Sequence, residues 1–211
     1  MQAATWPKAA LRAMTRSPLI ALFLALALAV EIGTKAAGRK PFPPDTMPTG
    51  AYDRIALAIA DRRPKDIFAY LETEAQWAAF TLHQTRMEAC NRVRASYPPD
   101  QREKLLAGWK EEGDSADGPD AFARLAIRRG WIARLERDLS GVEHVEVQGD
   151  RATVVTARAT RYPFRRRDNG IWGLTIFTAE LEAEAERATR DLDMVDRAAR
   201  DYERAKTVTL P

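Results

Sequence analysis

Cysteine is almost missing from this chain. Cys90 stands alone among 211 residues, which excludes an intrachain disulfide and any multi-cysteine metal site. Histidine is nearly as scarce, with only His83 and His144. There is no GxSxG, no P-loop, no HExxH and no glycine-rich dinucleotide turn. A lone thiol on a helix with Met87 and Val93 reads as a small core residue. His83 lies seven residues from Cys90 on the same helix face and reads as a partly buried surface residue rather than half of a dyad. His144 sits among Glu143 and Glu146 without a third ligand, so a metal site does not follow. No catalytic, cofactor-binding or metal residue is assigned on these grounds.

A true excess of one charge is also lacking. The net charge is +3 and the isoelectric point about 9.1, values that suggest a nucleic-acid binder. Six of the cations and a single acid, Glu31, fall within residues 1–40, leaving 27 cations against 29 anions in the remainder. The basicity therefore belongs to one end, the body is close to neutral, and nucleic acid is not an expected partner. The one dense basic cluster of the body, Arg165-Arg166-Arg167, reads as a solvated hairpin tip or, alternatively, a contact for anionic lipid or a partner.

What the chain does have is an unbroken apolar run from Leu19 to Val30, inside residues 18–33, behind the spaced cations Lys8, Arg12 and Arg16. A helix apolar on every face belongs in a bilayer or a translocon. Leu19, Ile20, Leu22, Phe23, Leu24, Leu26, Leu28 and Val30 are its anchor side chains. A run of about a dozen apolar residues also suits a signal peptide, and Ala27-Leu28-Ala29 offers a cleavage site. The favoured reading is an uncleaved signal anchor. Cations on both flanks, with Lys35, Arg39 and Lys40 following, nearly cancel the positive-inside bias. Residues 1–17 are then expected in the cytoplasm and the body outside. With no cysteine after the run to carry a lipid and no disulfides, a bitopic protein of the bacterial inner membrane with a periplasmic domain is expected. Residues 34–50 carry Pro41, Pro43, Pro44 and Pro48 and predict a stiff, extended linker.

The body begins near residue 51 with helical spacing. Tyr52, Ile55, Leu57 and Ile59 mark a short helix, and Pro64 starts the next. Apolar positions from Ile67 to Val93 predict helix from Lys65 to about Ser96. Tyr97-Pro98-Pro99-Asp100 breaks it, with Asp100 as the expected cap of a helix bearing Leu105, Leu106 and Trp109. After an acidic loop over 111–118, helical spacing resumes from Asp120 to Leu139. The period then changes to two. His144–Gln148, Ala152–Tyr162 and Ile171–Phe177 predict three antiparallel strands, turning at Gly149-Asp150 and Asn169-Gly170. Helices followed by a meander make the fold class α+β.

Val145-x-Val147-x-Gly149-Asp150-x-Ala152-x-Val154, followed by Asp168-Asn169-Gly170-x-Trp172-x-Leu174, resembles the closing strands of the NTF2-like superfamily, in particular its membrane-tethered extracytoplasmic members. The resemblance spans about residues 142–177 and implies that residues 51–177 form helices packed into a curved sheet as a cone. It also implies a pocket, for which Trp77, Trp109, Trp131 and Trp172 are the expected lining and Asp61, Glu72 and Asp150 the carboxylates that could serve as a base. The family holds enzymes and non-enzymes, so no activity follows.

A long helix over residues 178–206 closes the chain, with Thr178 as its expected cap. Leu181, Ala185, Ala188, Leu192, Val195, Ala199 and Tyr202 are spaced alternately by four and three, a heptad seam of about three repeats. Acids crowd its start and arginines its end, in accord with the helix dipole. Such a helix either lies on its own domain or docks on another protein. The leading expectation is a non-catalytic anchored accessory or scaffold subunit of a larger envelope complex, whose partners are the bilayer and other membrane subunits. A small-ligand module and an isomerase or hydrolase are the alternatives.

Overall fold

A computed structural model describes residues 42–208. The expected cytoplasmic segment, membrane anchor and first part of the linker therefore lie outside the described residues. Within them, no helix is long and apolar enough to cross a membrane.

The order is α1 (Pro48–Ala60), a 3-10 helix (Pro64–Tyr70), α2 (Thr73–Ser96), α3 (Pro99–Gly113), α4 (Gly118–Arg128), α5 (Trp131–Asp138), β1 (Val142–Gln148), β2 (Arg151–Thr156), β3 (Arg161–Arg166), β4 (Trp172–Leu174) and α6 (Thr178–Val208). The fold is α+β: seven helices among the described residues, and a four-stranded antiparallel sheet in the order β1-β2-β3-β4.

Proline opens three of these elements. Pro48, Pro64 and Pro99 each sit in the first turn, where a missing N–H leaves no bond unmade. Because α3 starts at Pro99, Asp100 lies inside the first turn instead of capping it. Residues 42–47, part of the expected linker, are held against the body. Trp172 Nε1 donates to Thr46 O at 3.0 Å, and Arg54 Nη1 donates to Pro43 O at 2.7 Å. Gly50 admits this close approach, since a Cβ there would lie 2.0 Å from Pro44 O.

Four further details differ from the reading of the sequence. The helix expected from Lys65 to about Ser96 is divided: a 3-10 helix ends at Tyr70, Leu71 bridges to Leu174, and α2 begins at Thr73. The helix expected over 120–139 is divided by Gly130, whose φ of +71° ends α4 and redirects the chain into α5. The strand expected over 152–162 is two strands, β2 and β3. The turn between them has Thr156 N donating to Thr160 O and Ala159 at φ +59°, with no glycine or proline to announce it. Thr178 is the first helical residue of α6, and its hydroxyl turns to Glu72 instead of capping. The two expected turns are present. Gly149, at φ +62°, opens a two-residue β1-β2 turn, and Gly170, at φ +81°, closes the β3-β4 turn.

Two apolar clusters hold the layers. The larger joins α1, the 3-10 helix, α2, α4, α5, one face of the sheet and the start of α6, with Phe122, Phe164, Phe177, Leu71 and Leu174 fully buried. The smaller joins the ends of α2 and α6 through Val93, Tyr97, Val195 and Ala199, with Leu105, Leu106 and Trp109 of α3 against it.

Candidate functional site

The seam of α6 lies along α2. Leu181, Ala185, Ala188, Val195 and Ala199 are buried in that contact, while Leu192 and Tyr202 are half-buried. The two helices run parallel, as their cross-contacts show. Glu72 meets Thr178 at their starts, Arg86 meets Asp191 in the middle, and Ser96 Oγ donates to Glu203 Oε1 at 2.8 Å near their ends. Alanines permit this proximity, and charge fastens it. Arg86 Nη1 sits 2.7 Å from Asp191 Oδ2, both side chains largely out of water, with the guanidinium 4.9 Å from the centre of the Trp109 ring. Of the two readings open for this helix, the geometry is that of a helix lying on its own domain.

The four tryptophans do not converge. Trp131 is buried and stacks on Phe177 at 5.0 Å, and Trp172 is buried in the sheet. Trp109 is half-buried on α3 beneath Arg86. Trp77 is 67% exposed on α2. A file of rings links the outermost to the innermost. Trp77 lies 6.3 Å from Phe80, Phe80 5.3 Å from Phe68, Phe68 6.3 Å from Phe122, and Phe122 6.2 Å from Phe177. These rings pack in series from the surface of α2 into the larger apolar cluster.

The carboxylates separate as clearly. Asp61 is exposed and pairs with Arg63 at 2.9 Å, and Asp150 is exposed at the β1-β2 turn. Glu72 is buried, but it accepts from Thr178 and faces Arg165 at 3.8 Å. That position ties the start of α6 to the sheet. The groove above it, lined by Glu72, Arg151, Thr153, Pro163, Arg165 and Thr175, is polar and open. Within the basic cluster, Arg165 reaches Glu74 at 3.2 Å, and Arg167 donates to Ala69 O at 2.9 Å, its burial lowering its affinity for a proton. Of the three, only Arg166 is exposed.

One contact had no signal in the sequence. Ser115 Oγ lies 2.9 Å from His83 Nδ1, an arrangement that resembles a nucleophile and base. Ser115 is buried, however, and its hydroxyl donates to Glu112 O at 2.5 Å. With that proton committed, Nδ1 of His83 must itself be the donor, so it cannot deprotonate Ser115. His83 consequently pairs with Ser115 and not with Cys90. Burial pushes the Cys90 thiol up, and its sulfur packs so tightly on Gly113 that a Cβ there would lie 2.5 Å away. His144 is exposed and rests 3.5 Å from Glu146. No group of three or more metal-ligating side chains occurs among the described residues.

A further surface feature is a groove between α2 and α6. Ala78 and Ala185 form its floor, Trp77 one wall, and Glu74, Glu182 and Glu186 its rim, with Thr81 and Thr189 at one end. It encloses about 570 Å³ and is open to solvent. No family model, curated protein or solved structure matches the chain.

Proposed function

We propose that the chain is a non-catalytic, membrane-anchored accessory or scaffold subunit whose body docks on a larger protein complex of the bacterial envelope. The carrying observation is the file of rings from Trp77 to Trp131. It runs through packed rings from the core to the surface and leaves its outermost ring in solvent. A tryptophan two-thirds exposed loses apolar contact that a partner can restore. The apolar run at residues 19–30 supplies the tether, with the bitopic, periplasm-facing arrangement as part of the same proposal.

Kinship with the NTF2-like superfamily belongs to this proposal too. Helices preceding an antiparallel meander, with α1 laid on β1, β2 and β4, support it. A ligand-binding or isomerase role would need the tryptophans or a buried carboxylate to share one chamber. Instead, Trp131 and Trp172 are packed, Trp77 and Trp109 lie on different helices, and Glu72 is held by Thr178.

Purification of the full chain from mild-detergent membranes, through a tag after Pro211, tests the reading by mass and composition. The expected result is a stable assembly with other membrane subunits. A lone chain that retains residues 18–33 would overturn the accessory role. A lone soluble chain beginning near Val30 would overturn the anchor as well.

A further inference from the structure

The groove between α2 and α6 has three properties that together describe its occupant. Its wall is a large exposed aromatic, its floor is alanine, and its rim carries three carboxylates against two arginines. Glu74 pairs with the half-buried Arg165 at 3.2 Å and Glu186 with the exposed Arg190 at 3.6 Å. Glu182 has no ion pair among the described residues. The acidic edge continues along the same ridge. Arg92 and Asp196 face each other across the two helices at 3.2 Å. One turn before them lie Glu88 and Asp193, both exposed and both without an ion pair among the described residues. Three carboxylates therefore border the groove, and two more extend its acidic edge along the same two parallel helices.

We infer that this groove receives an α-helix of a partner subunit, one carrying an apolar stripe flanked by Lys and Arg. This rests on the accessory-subunit reading and names the partner's chemistry. Two parallel helices present a trough into which a third helix lays its ridge, and the small floor residues let its backbone approach. Lysine or arginine along that helix meets the acidic rim, and a guanidinium can also lie over the Trp77 ring. Charge disfavours a groove-to-groove contact between two copies and an anionic lipid surface. A second copy would bring the same acidic rim against itself, and an anionic lipid surface would be repelled by it.

The test places a photo-crosslinking benzoylphenylalanine at position 77 of the full chain in native membranes and identifies the captured peptide. A crosslink to a Lys/Arg-bearing helical segment of another subunit is the expected result. Trp77→Ala and the pair Glu182→Lys with Glu186→Lys should each lower co-purification of that subunit by at least about tenfold. The capture should weaken with added salt, while Ile127→Ala, at an exposed apolar position on α4, should leave it unchanged. Crosslinking to a second copy, to lipid, or to an acidic or non-helical segment would overturn the inference. No crosslink from a chain that still co-purifies with an assembly would overturn the groove alone. A chain that co-purifies with nothing would overturn the accessory reading on which it rests.

Discussion

At the scale of single residues, the most consequential group is Arg86. It is a charge with 7% of its side chain exposed, opposite Asp191 at 17%, and its desolvation is tolerable only while the partner and the Trp109 ring remain. Asp191→Ala should therefore cost about 3–5 kcal/mol, because it leaves a buried charge uncompensated. The double change Arg86→Met with Asp191→Leu should recover most of that loss, and chemical denaturation of the three variants would measure both effects. Ala159 makes the opposite case. It occupies the left-handed region at φ +59°, where its Cβ is strained. Ala159→Gly relieves the strain at some entropic cost and should stabilise by about 0.5 kcal/mol, read as a raised midpoint at unchanged slope. Neither position is marked in the sequence, because an arginine and an alanine carry no sign of the environment the fold gives them.

Among the elements, α6 shows how much periodicity reveals and where it stops. The alternating spacing from Leu181 to Tyr202 identifies a helix with one narrow apolar seam, and the helix Thr178–Val208 has it. Which helix would cover the seam is a long-range matter. α2 does so, and Ala188 and Ala199 are fully buried at the crossing. Ala188→Leu should therefore destabilise the domain by about 1–3 kcal/mol through overpacking. If the seam were instead free to solvent, the same change would be nearly neutral, and thermal unfolding distinguishes the two. The strands follow the same logic. Gly149-Asp150 and Asn169-Gly170 announce their turns, because positive φ favours glycine. The turn between β2 and β3 is written in Ala157-Arg158-Ala159-Thr160, where nothing local demands it. It forms because Val154 and Tyr162 must pair across it, in register, with their side chains on the buried face.

For the molecule as a whole, the helices and the sheet are joined where α1 meets the meander. Tyr52 and Tyr162 pack there at 5.4 Å between ring centres, with Tyr52 Oη donating to Ser140 O at 2.7 Å. Burial, and then the neighbouring Tyr52, push Tyr162 up to about 12, and burial raises Tyr52 as well. A phenol whose folded value lies above its unfolded value keeps its full contribution at lower pH. Stability should accordingly hold up to about pH 10 and fall as the pH rises toward about 12. A denaturation series across that window, with absorbance of the phenolate, checks it. Tyr162→Phe should flatten much of the decline.

The sequence by itself determined the apolar run, the near-neutral body behind a basic end, and the mixture of helices and hairpins. Each of these depends on composition or on neighbours a few residues apart, where backbone geometry and hydration act without a distant partner. Only the tertiary structure decided that Trp131 and Trp172 are packed while Trp77 stands in solvent, that Ser115 meets His83, and that the α6 seam is spent on α2. Equal residues in equal local patterns receive opposite fates there. Burial is set by which surfaces meet, and those meetings join residues about a hundred positions apart, such as Ser96 with Glu203.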